Sequence, residues 1–192
     1  VNYVDVAPMT AKDPTGSAVT ALALPMIFGG MASAVVFSRV FKNSRAKQLI
    51  GALGVAILGG LVASSILYFG FDALEANFWP TTGVIILGIA AISTTVLGLN
   101  SLLGIAGLGL GAVTMLFISN PLSGMATGMH WLPSPWGAIG QYLPLGAAGT
   151  ALRSSAFFDG AGMTNSVIVL LCWIIAGITL AAAGAWRARR TG

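Results

Sequence analysis

Residues 81 to 119 read TTGVIILGIAAISTTVLGLNSLLGIAGLGLGAVTMLFIS, thirty-nine residues without one charged side chain. At a rise of about 1.5 Å per residue, a single helix of that length would be about 58 Å long, roughly twice the hydrocarbon thickness of a bilayer. The run must therefore reverse. Its most polar point, Gly98-Leu99-Asn100-Ser101, offers turn chemistry near the middle and leaves about eighteen residues on either side, enough for a crossing. The expectation is a hairpin of two spans, about 81–98 and 102–119.

Working outward, three more apolar runs are long enough to cross: about 17–37, 49–70 and 164–186. Every Asp, Glu, Lys and Arg falls outside the five runs. With 56% hydrophobic and 7% charged residues, against about 25% charged in a soluble domain, there are too few charges to coat a water-facing surface. Mean hydropathy is +0.90. The expected fold is all-α, a polytopic membrane bundle of five transmembrane helices. Its order is an outside segment at 1–16, four helices within 17–119, a segment at 120–163, the fifth helix and a cytoplasmic tail at 187–192. The net charge of +4 sits between apolar runs, which argues against a nucleic-acid partner. The single cysteine, Cys172, cannot form an intrachain disulfide.

Counting Lys and Arg on alternate sides gives the orientation. One side receives Arg39, Lys42, Arg45, Lys47, Arg187, Arg189 and Arg190; the other has only Lys12 and Arg153, with all five acids, Asp5, Asp13, Asp72, Glu75 and Asp159. The positive-inside rule then puts the C-terminus in the cytoplasm and residue 1 outside. The basic residues are first of all topological anchors, and Arg39, Lys42, Arg45 and Lys47 are also candidates for contact with anionic lipid or a cytoplasmic partner. The acids and single Lys12 before the first run do not make a signal peptide. An outside start suggests the membrane part of a longer or processed protein, with at least one more span upstream.

No ionisable group falls within the expected spans, which counts against a proton-coupled transporter, a voltage sensor or a charged selectivity filter. Glycine is abundant instead. Gly107 and Gly111 form a GxxxG pair, suited to close helix packing inside the chain or to dimerisation. No catalytic constellation appears: Ser154-Ser155 has no nearby base, His130 has no orienting acid, and no cluster has metal-ligand spacing. The expectation is a non-enzyme without metal or cofactor.

Residues 120–163 contain half of the prolines, yet also Trp131, Trp136, Tyr142, Phe157 and Phe158. Asn120-Pro121 and Ser134-Pro135 read as helix starts, with Asn or Ser as N-cap and Pro at the first helical position, and Pro144 opens a third short helix. Such a segment fits an extracellular re-entrant or interfacial helical cap, or an aromatic belt that anchors the bundle. Arg153 and Asp159 could pair across a hairpin turn. Asn120, Pro121, Pro135, Trp136, Gln141, Pro144, Arg153 and Asp159 are the candidate gate residues of this cap.

With one span prepended, this layout resembles the permease subunits of type-2 ABC exporters. The stretches NPLSGMATG, LPSPWGAIGQYLPLGAAGTALRS and FFDGAG are similar to the tail of an actinobacterial membrane family related to the phage-infection-protein group. The resemblance implies a bacterial plasma-membrane protein. It implies that SRVFKNSRAKQ corresponds to a short coupling helix touching an ATPase, and that 120–162 correspond to extracellular re-entrant helices. The expected function is a permease-like subunit exporting a lipid or other amphiphile, with membrane lipids, a separate ATPase and a homodimer or larger complex as candidate partners. The alternative is a non-transporting accessory or scaffold subunit.

Overall fold

The computed structural model describes residues 13, 17–71 and 78–191. Most of the expected outside segment, and the acids Asp72 and Glu75, lie outside the described residues. A short helix α1 (Ser17–Ala21) leads through Leu22 into α2 (Ala23–Val40), and a turn at 41–44 leads to α3 (Arg45–Ser65), which continues as a π-helix to Gly70. Next come α4 (Phe78–Leu103) and α5 (Ile105–Ala112), the latter extended by a π-helical stretch (Val113–Ser119) and α6 (Asn120–Leu122). Two more short helices, α7 (Trp136–Gly140) and α8 (Pro144–Phe157), precede the long α9 (Thr164–Thr191). Five of these stretches are long and apolar enough to cross a membrane: Ala23–Val40, Arg45–Gly70, Phe78–Leu103, Ile105–Leu122 and Thr164–Ala188.

The decisive hairpin exists, but its bend is not at residues 98–101. Helix α4 runs straight through them and reverses at Gly104, whose φ of 62° and ψ of −135° lie where a Cβ is strongly disfavoured. Asn100 takes part only through its carbonyl, which accepts the Gly104 N–H at 2.8 Å. The polar residues that suggested a turn are used for helix packing. Ser101 donates its hydroxyl to the Ala181 carbonyl of α9 at 3.0 Å, and a Cβ on Gly98 would sit 2.5 Å from the Gly177 carbonyl. Beyond the bend, Gly107 faces the backbone of Leu99 and Asn100, and Gly111 faces Val96. The GxxxG pair thus closes the hairpin inside the chain, because small residues let two backbones approach.

Helix α4 is the axis of the molecule. In its most apolar window 78% of residues are buried, against 22% to 28% in the other four spans, and it packs against α2, α3, α5, α8 and α9. A helix enclosed by protein can carry hydroxyls if each finds an acceptor. Thr94 and Thr95 donate to the carbonyls of Ala90 and Ala91 at 2.7 Å, and Ser93 donates to that of Ala90 at 3.1 Å. The outer faces of α2, α3 and α9 are covered instead with exposed Val36, Ile50, Leu58, Val62 and Ile175, the surface that a hydrocarbon solvent requires. Aromatic rings gather where α3 meets α4, with Tyr68 edge-on to Phe69 and Phe78. At the opposite end Arg190 lies 3.5 Å over the Trp186 ring.

Candidate functional site

The segment between α5 and α9 folds back into the bundle. Helix α8 lies antiparallel along the first half of α4: the hydroxyls of Ser155 and Thr81 are 3.1 Å apart, and Ala148 lies against Gly88, where an added Cβ would meet it at 3.2 Å. Gly88 is about 15 Å along an α4 that is about 39 Å long. Pro144, a further turn down α8, therefore lies near the middle of α4. From Pro144 to Leu152, every α8 residue except Thr150 is buried.

Two long-range bonds fix that depth. The indole N–H of Trp173, nine residues into α9, donates to the Tyr142 carbonyl at 2.7 Å. The Leu145 N–H in the first turn of α8 donates to the Ser119 hydroxyl at 3.2 Å. Ser119 thereby satisfies one of the N–H groups that a helix start leaves unpaired, from a different element, and Pro144 at the first position has no N–H to satisfy.

Asn120-Pro121 does not start a helix of the cap. It ends the fourth span, because Asn120 keeps helical angles (φ −66°, ψ −55°) and α6 continues the π-helical stretch. A proline inside a helix removes one bond and crowds the preceding turn; the wider π turns at Val113–Ser119 accommodate that disruption. Ser134-Pro135 is shifted as well. Pro135 has φ −95° and ψ 8°, so it is the residue before α7, and Trp136, half exposed, is the first helical one.

A polar network holds the cap together above this joint. The Ser123 hydroxyl donates to the Asn120 carbonyl at 2.6 Å and accepts from the Met125 N–H at 3.2 Å. Gln141 reaches the Ser123 carbonyl through a long 3.5 Å bond and accepts from the Thr150 hydroxyl. Arg153, on the same helix as Thr150, donates to the carbonyls of Gly124 and Met125. The Thr20 hydroxyl of α1 donates to that same Met125 carbonyl at 3.1 Å. Arg153 is thus a clamp on the loop after α6. Burial lowers its pKa from the ordinary arginine value. Asp159 takes a left-handed conformation (φ 49°) just beyond α8, which Asp tolerates better than most residues, and the chain turns so that the Gly160 N–H reaches the Ser154 carbonyl at 2.8 Å.

An apolar groove lies between α2 and α3. Its deeper part, about 280 Å³, has Gly29, Val55 and Gly59 along its walls and Ile85 and Ile89 of α4 behind them. Its wider part, about 490 Å³, opens beside Asp13 and Ser17. The Asp13 carboxylate accepts from the N–H groups of Ser17 and Ala18 at 2.8 and 2.9 Å and from the Ser17 hydroxyl at 2.9 Å, which starts the helix.

The opposite end carries the basic connection. It is a turn of four residues, 41–44, with no separate helix between α2 and α3. Ser44 caps α3 by accepting from the Lys47 N–H at 3.4 Å. Buried Gln48 donates to the Phe41 carbonyl at 2.8 Å and accepts from Arg45 at 3.0 Å. Arg39, Lys42 and Lys47 stay exposed and, with Asn43 and Ser44, line a polar hollow of about 460 Å³.

Sequence reasoning brought out Gln141, Pro144 and Arg153 but missed their partners Ser119, Ser123, Thr150, Thr20 and Trp173. One signal was legible: Trp173 stands in mid-span, away from the interfaces where tryptophan collects, and its indole N–H needs an acceptor there. The sequence matches no family model, and no curated protein matches it.

Proposed function

We propose that this chain is a permease-like membrane subunit that moves an amphiphile, such as a lipid, outward across a bacterial plasma membrane. In this reading the N-terminal side faces out, the basic end faces the cytoplasm, and α7 and α8 form a re-entrant outer gate. The observation that carries it is the burial of the α8 start near the middle of α4, tied to Ser119 and Trp173. Broken helices meeting at mid-depth recur where membrane proteins open a path for a solute. The apolar groove between α2 and α3, with Ile85, Ile89 and Val55 in its deeper part, suits an alkyl tail better than an ion. Energy would come from a separate ATPase engaging the basic turn.

The test is export of a fluorescent phospholipid analogue from cells carrying the intact protein, Arg153→Ala or Pro144→Leu. Each variant should lower export severalfold while the protein remains inserted and folded in detergent. Unchanged export in both counts against the gate. An ATPase that co-purifies and is lost on replacing Arg39, Lys42, Arg45 and Lys47 supports the coupled cycle.

The accessory-subunit reading is favoured by one observation: the tight 41–44 turn offers no separate helix to lie across an ATPase. Recovery of the native protein with an unrelated membrane complex, and no ATPase, would select it.

A further inference from the structure

We infer that the hollow formed by Arg39, Lys42 and Lys47 is a binding site for the phosphodiester headgroup of an anionic phospholipid. It does not rest on transport, and it assigns to lipid three of the four basic residues that the transport reading offers to an ATPase. The four basic residues of the connection are not equivalent. Arg45 is half-buried and donates to Gln48, whose amide in turn holds the Phe41 carbonyl. It shapes the turn. The other three, all exposed, line one open hollow of about 460 Å³ together with Asn43 and Ser44. The chain has no acid from residue 14 to residue 71, so the connection and both of its helices supply no carboxylate to compensate these cations. The 21-residue α3 starts at the same space, with its N-cap Ser44 among the lining residues, and its dipole adds to the preference for an anion.

The surroundings select a lipid over free phosphate. Val40, 62% exposed, lines the hollow itself, and Val36 and Ile50, 52% and 70% exposed, continue the apolar surface up the adjoining helices. A headgroup seated among the cations therefore leaves its acyl chains against hydrocarbon-compatible side chains. Inorganic phosphate would gain only the polar half of these contacts. Uniform topological anchoring, by contrast, treats all basic residues of this end alike.

Native mass spectrometry of the full chain in mild detergent, with phosphatidylglycerol or phosphatidylcholine added, tests the assignment. The expected result is at least a tenfold preference for phosphatidylglycerol, retained in millimolar inorganic phosphate. The triple variant Arg39→Gln, Lys42→Gln, Lys47→Gln should lose that preference, and Arg187→Gln with Arg190→Gln should keep it. Equal binding of the two lipids by the unmodified chain, displacement by inorganic phosphate, or an equal loss in both variants would overturn it.

Discussion

The indole N–H of Trp173 donates to the backbone carbonyl of Tyr142 at 2.7 Å, tying the first half of α9 to the bend that precedes α8. Replacing Trp173 by Phe keeps most of the ring and removes the donor. The bond contributes about 1 kcal/mol, so the variant should show a thermal midpoint lowered by a few degrees in detergent. Faster amide exchange should be confined to 141–145.

Gly104 and Asn100 separate two ideas of the α4–α5 bend. A Cβ on Gly104 would meet no atom within 4 Å, so Gly104→Ala reports backbone strain alone, roughly 1–3 kcal/mol. Asn100→Ala should cost under 0.5 kcal/mol, roughly a surface change, because the bend uses only its carbonyl. Thermal unfolding of the two variants side by side measures the difference; a larger loss at Asn100 would contradict the Gly104 bend.

Gly177 and Gly54 form a matched pair. A methyl group on Gly177 would collide with the backbone of Thr94 and Thr95, whereas one on Gly54 meets nothing. Gly177→Ala should destabilise by about 1–3 kcal/mol through overpacking, and Gly54→Ala should be neutral or stabilise by up to about 1 kcal/mol through helix propensity. Thermal midpoints in a common detergent give the comparison directly.

Arg153→Gln shortens the clamp on the Gly124 and Met125 carbonyls while leaving the Thr20 bond in place. The expected cost is about 1–2 kcal/mol, with hydrogen exchange raised over 123–128 and unchanged in α4. Exchange raised evenly through the bundle would mean that Arg153 supports the whole fold and not the loop.

Apolar run lengths revealed five helices because the thickness of a bilayer limits how far a chain can remain uncharged before it must turn. The same reading misplaced the bend in 81–119. Polarity marks Asn100 and Ser101 equally well as turn residues or as groups that bind a neighbouring helix, and only the position of α9 decides between them. Asn120-Pro121 misled for a related reason: proline is at home in the first turn of a helix, and the π-helical stretch that tolerates it near a helix end leaves no mark in composition. Pro144 was legible because the extended residue before it, Leu143, separates it from α7, so the proline opens a helix without disturbing one. The partners of Gln141 and Arg153 were hidden, since Thr150 apart they are backbone carbonyls or hydroxyls whose proximity depends on how deep α8 sits.

The face of α4 built from Thr94, Gly98 and Ser101 is covered by α9 alone among the spans that follow it. Helix α9 emerges from the ribosome only after the entire cap has been made. Until then the most enclosed helix of the molecule keeps a groove of small and hydroxyl-bearing residues uncovered. A nascent chain halted before Thr164 would therefore present an unfinished seam where the completed protein has a closed one.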